Sequence, residues 1–115
     1  MATVQFQSGK IDQAKKTLTS AHPDIEKNQK YYQLLAIVDI ELKLFSDAEL
    51  LYTRLIQLDP NNPELYLGLA ISYHGQEKNS LAAYYYQQSL KNAKKPWVSE
   101  AFVIQQLDMM GYDIP

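Results

Sequence analysis

Apolar and small residues along the chain recur at intervals of three and four, which is the spacing of a helix face. Residues 31–44 are dense in Leu, Ile, Val and Ala and set Tyr32, Leu35, Ala36 and Asp39 at helical spacing. Residues 46–58 place Ala48, Leu51, Tyr52, Leu55 and Ile56 along one face. The same pattern predicts helices over 64–74, over 81–92, over about 97–110 and, upstream, over 11–21, with 25–30 leading into the helix of 31–44. No segment alternates with period two, and no Asn-Gly or Asp-Gly pair marks a hairpin. The fold class predicted is all-α.

The breakers agree with these boundaries. Asp59-Pro60-Asn61-Asn62-Pro63 is a turn that no helix interior tolerates, and Pro63 suits a first helical turn, where a missing N–H costs nothing. Ser46 with Glu49 three residues on reads as a capping box, and Asn79 or Ser80 reads as a cap for the following helix. Gly75 and Gly111 stand where glycines close helices, Pro23 ends the upstream helix, and Pro96 opens the last one. Lys91, Lys94 and Lys95 complement the C-terminal dipole of the helix over 81–92. Residues 1–8 read as a frayed partial helix or a tail.

Helices of this length joined by short turns invite a self-comparison. A shift of 34 residues lays Tyr32, Leu35 and Ala36 on Tyr66, Leu69 and Ala70, Ala48 on Ala82, and Tyr52 on Tyr86. The same shift upstream lays Ala14, Leu18 and Ala21 on Ala48, Tyr52 and Leu55. This register resembles the tetratricopeptide repeat, with departures at Asp39, where that family has Tyr, and at Leu55, where it has a small residue. The resemblance implies antiparallel helix hairpins stacked as a right-handed superhelix with a C-terminal helix. It divides a single domain over 1–115 into a half-repeat (9–28), two full repeats (29–62 and 63–96) and a terminal helix (97–111). Small residues (Ala36, Ala48, Ala70, Ala82) mark the closest helix approaches, and Tyr52, Tyr86, Leu51 and Leu69 fill the space beside them.

Composition narrows function mainly by exclusion. The 115 residues contain no cysteine and two histidines, so thiol chemistry, disulfides and a histidine-rich metal cage are excluded. A formal charge of −2 gives no electrostatic reason for nucleic-acid binding. The run Tyr84-Tyr85-Tyr86 is better read as outer, half-buried and core positions of one helix than as a base-stacking platform. No apolar stretch is long enough to span a bilayer, so no direct membrane insertion is expected, and no signal peptide is evident, which leaves the compartment open between cytoplasm and periplasm. No nucleophile elbow or phosphate loop is present, and the carboxylates read as solvated helix charges, so no enzyme, catalytic residue, cofactor or metal is expected.

The resemblance implies a protein or peptide partner held on the concave face formed by first helices. Its positions map to Gln33, Ile37, Ile40 and Glu41 in one repeat and to Leu67, Ile71 and His74 in the next, with Gly75 beside them. The Lys, Asn and Arg clamp that this family uses for chaperone C-termini is missing, so the predicted groove is apolar. A second reading is self-association: the terminal helix carries Trp97, Phe102, Met109 and Met110 with few polar positions, which suits a homodimer contact or a helix that fills the groove. The segments 67–72 and 102–107 also resemble the C-terminal repeats of bacterial pilus-biogenesis proteins of the mannose-sensitive haemagglutinin type, which implies an envelope-facing assembly factor.

Overall fold

A computed structural model describes residues 24–112. The predicted upstream helix and the half-repeat's helical part lie outside the described residues. Five helices make up the described chain: α1 (Gln29–Glu41), α2 (Phe45–Leu58), α3 (Pro63–Gly75), α4 (Asn79–Asn92) and α5 (Glu100–Met109). No strand occurs among the described residues. Each helix packs on the next in sequence, and α1 also touches α3.

The internal repeat reappears in the backbone. α1 and α3 each span 13 residues, α2 and α4 each span 14, and every boundary of the second pair lies 34 residues after that of the first. The turns that end α1, α3 and α5 share one geometry. Lys43 (φ 61°), Glu77 (φ 62°) and Gly111 (φ 83°) adopt the left-handed conformation, again 34 apart. The next residue's N–H reaches back into the last helical turn: Leu44 to the Asp39 carbonyl at 2.7 Å, Lys78 to Tyr73 at 3.0 Å and Tyr112 to Leu107 at 3.0 Å. This is the Schellman closure, which satisfies carbonyls that a helix end would otherwise leave unpaired. Only the third copy uses glycine at the left-handed position. Lys43 and Glu77 hold it against the Cβ clash that disfavours L-residues there by about 1–2 kcal/mol.

Some local expectations are corrected. Gly75 is the last residue of α3 and not its left-handed cap, because its function lies elsewhere: a Cβ there would sit 2.5 Å from the Phe45 ring. Ser46 lies inside α2, whose N-cap is Leu44, so Ser46 and Glu49 form no capping box. Both instead meet Gln76 across the junction: its Nε2 donates to Glu49 Oε1 at 2.8 Å, and its Oε1 accepts from Ser46 Oγ at 3.4 Å. α4 is capped by the backbone at Lys78 without a side-chain bond, so neither Asn79 nor Ser80 caps it. α5 begins at Glu100 and not at Trp97, after a cis Lys95–Pro96 bond. The turn before α3 is as expected, with Pro63 in the first helical turn, and the Asn62 side chain accepts from the Glu64 N–H at 3.0 Å.

Two core clusters follow the same logic. The first joins Ala36, Ala48, Tyr52 and Leu55 to Leu65 and Leu69 of α3. The second joins Ala70, Ala82, Ala83 and Tyr86 to Val103 and Leu107 of α5, with Leu67 beside them. In each, alanines with no accessible surface bring two helices together, a tyrosine of the second helix fills the gap, and the following first helix closes the cluster. Non-directional burial on this scale is the main force holding such stacks, since one hairpin cannot cover its own apolar face.

Candidate interaction surfaces

The first helices α1 and α3 carry the residues expected to meet a partner, and the structure separates them. On α1, residues 33, 37 and 41 follow i, i+4 spacing and share a face. Ile37 is 40% exposed and Glu41 is exposed. Ile40 is half-buried against the first core cluster. Gln33 lines a cleft of about 490 Å³ together with Tyr31, Asn28 and Asp59, at the N-terminal edge of α1.

On α3 the corresponding positions sink inward. Leu67 is 9% exposed and belongs to the second core cluster, and Ile71 packs against that cluster. His74 is half-buried, with Nδ1 3.2 Å from the Tyr86 hydroxyl and its ring edge-on to the tyrosine ring. Burial pushes the Tyr86 hydroxyl up to about 12, so it stays protonated and remains a hydrogen-bond partner for His74 at neutral pH. One imidazole nitrogen is thereby engaged in the fold, which leaves the outer edge of the ring for any ligand. The exposed aliphatic surface of this row is therefore centred on Ile37.

The terminal segment is also divided. Trp97 packs on the second core cluster and donates from Nε1 to Glu64 Oε1 at 2.7 Å, and Met110 packs on the same cluster. Phe102 and Met109 point the other way, 43% and 72% exposed. Seven residues apart, they stand on one side of α5 two turns from each other.

Several features have no local signature in the chain. Gly68 and Gly75, also seven apart, let α2 approach α3. A Cβ at Gly68 would run into the Tyr52 ring. The spacing of the two glycines on one helix face is the signal that would have revealed this. Asp39, 2% exposed, sits where the register elsewhere places Tyr73 and Leu107. Tyr52 is raised above the ordinary tyrosine range by burial first, then by the carboxylates of Glu64 and Asp39. Tyr85 stacks between Tyr66 and Tyr73, with ring centroids 6.3 Å and 5.5 Å away, and meets Tyr84 edge-on at 5.0 Å. The three neighbouring tyrosines behave as their helix phase predicts: Tyr84 is 52% exposed, Tyr85 half-buried and Tyr86 1% exposed.

Among the described residues, no group of three or more His, Asp or Glu side chains is arranged to hold a metal ion. No helix among them is long and apolar enough to cross a membrane. Comparisons of the chain with protein-family models, with curated proteins and with solved structures find no match in any of the three.

Proposed function

We propose that this chain is a tetratricopeptide-repeat array, a right-handed superhelix of hairpins, that works as a non-catalytic protein-interaction module. One observation carries the reading. Helices of 13 and 14 residues alternate with a period of 34, and three identical C-terminal turns keep that period to the residue. A helix–turn–helix unit of 34 residues is the period of this repeat class, and stacked repeats offer an extended surface to another chain. Its partner is a protein or peptide, held on the first-helix face around Ile37, with Glu41 and Gln33 beside it. In this reading the module belongs to a bacterial envelope or pilus assembly factor.

The test is affinity capture from the native source with the full chain and with Ile37→Lys. Ile37 is exposed enough for the substitution to leave the helical circular dichroism unchanged. A partner recovered by the parent chain and lost by the variant supports the face. Recovery undiminished by the variant contradicts it.

Exposure of Phe102 and Met109 supports a second reading, self-association through α5. Sedimentation equilibrium separates the two. A dimer that dissociates in Phe102→Lys, Met109→Lys favours self-association, and a monomeric parent chain rules it out.

A further inference from the structure

A second recess opens on the edge of the stack formed by the inter-helix turns. It is a cleft of about 470 Å³ between the α2–α3 turn and the segment that leads into α5. Its volume lies within the range of small-molecule sites. Its large apolar element is the indole of Trp97, whose inner side rests on the second core cluster. The other lining residues are acidic (Asp59 and Glu64), amide-bearing (Asn61, Asn62 and Asn92) and basic (Lys94). Pro63 adds a small apolar patch.

The hydrogen bonds already made hold this set in place without exhausting it. Glu64 accepts from the indole N–H with one oxygen at 2.7 Å. Asp59 accepts from the Asn62 amide with one oxygen at 3.1 Å. Each carboxylate therefore keeps a second oxygen as an acceptor. Asn92 donates to the Gln88 carbonyl at 2.8 Å and keeps its own amide oxygen. Asn61 is exposed and makes no side-chain hydrogen bond among the described residues.

The chemistry of this lining selects its ligand. An aliphatic molecule would leave most of these polar groups unpaired, which costs free energy at each one. An anion would meet two carboxylates and one ammonium. A cation suits the indole and the carboxylates but is opposed by Lys94. A neutral ring that carries several hydroxyl donors and one flat C–H face satisfies the acceptors and lies against the indole. We propose that this cleft binds a neutral pyranose sugar, with Trp97 as its platform and Asp59, Glu64 and Asn61 as its hydrogen-bond partners. The site lies on the turn edge, is not lined by Ile37, and shares Asp59 with the cleft that Gln33 lines.

Trp97 is the chain's sole tryptophan, so tryptophan fluorescence reads this one side chain. The full chain is titrated with the methyl pyranosides of glucose, galactose and N-acetylglucosamine, and separately with tetramethylammonium and inorganic phosphate. At least one pyranoside is expected to give a saturable fluorescence change and to move the side-chain amide NMR signals of Asn61 and Asn92, with Ile37 unmoved. Asn61→Ala, at an exposed turn position, is expected to keep the fold and to weaken that binding by about tenfold, the scale of one lost hydrogen bond in a site. The proposal is overturned if no pyranoside moves either readout up to its solubility, if tetramethylammonium or phosphate binds and no pyranoside does, or if Asn61→Ala binds as tightly as the parent chain.

Discussion

The two junctions between successive helix pairs differ although the same turn precedes each. Where α3 meets α2, Gly68 and Gly75 clear space for Tyr52 and Phe45, whose rings occupy the positions that two Cβ atoms would need. Where α5 meets α4, the register puts Phe102 and Met109 at those positions, and both are exposed. α5 is held instead by Val103 and Leu107, each with no accessible surface, and by the Trp97–Glu64 hydrogen bond. Its contact with α4 is the smallest of the consecutive helix contacts. The lesson is that period and closeness are encoded separately. Turns and alanines keep the period of 34, and glycines set how near the next unit comes.

The close approach of α2 and α3 is most vulnerable at Gly68. Gly68→Val forces a branched side chain into the Tyr52 ring and is expected to destabilise the fold by about 3 kcal/mol, the upper part of the usual overpacking range. Urea unfolding followed by circular dichroism reads this as a lower midpoint at unchanged slope. Next comes the bond that anchors the second junction. Trp97→Phe keeps an aromatic ring on the cluster but removes the donor to Glu64, and a loss of about 1.5 kcal/mol is expected, as for a hydrogen bond to a charged group.

At the three shared turns, substitutions of opposite sign are expected to have opposite effects. Lys43→Gly and Glu77→Gly relieve a left-handed L-residue and are each expected to raise stability by about 0.5–1 kcal/mol, less than the full steric relief because glycine also loosens the unfolded chain. Gly111→Ala introduces that strain, since φ there is 83°, and is expected to lower stability by about 1 kcal/mol. Thermal melts of the three single variants check the signs. The smallest effect belongs to Phe102→Ala, within about 0.5 kcal/mol, because exposed apolar side chains contribute little to folding. A large loss there would mean that Phe102 occupies the same kind of contact that Gly68 makes room for.

Much of this fold is legible in the chain, and the exceptions share a cause. The helices, the turn at 59–63 and the phases of Tyr84, Tyr85 and Tyr86 follow from spacing and breakers, which act over a few residues. The alanine pairs are legible because they recur at a fixed shift. Ser46 and Glu49 look like a local capping box, yet both turn to Gln76, 30 and 27 residues away. Gly75 looks like a cap, yet it serves a ring that belongs to the other helix pair. Trp97, apolar and next to a proline, reads as the start of α5, yet its indole is held by Glu64 and the helix begins at Glu100. Of the first-helix residues that the family register singles out, Ile37 is exposed. Leu67 is buried, because residues 103 and 107 of α5 join the cluster that encloses it. Such partners are chosen by tertiary packing, and no window of neighbouring residues contains them.

Native-state hydrogen exchange of the full chain compares the two unequal junctions that one period contains. The amides of Val103 and Leu107 in α5 are expected to open at a free energy clearly below that of Leu69 and Ala70 in α3, and Gly68→Val to narrow the gap by lowering the α3 values. Equal opening free energies for α3 and α5 in the parent chain would contradict unequal junctions.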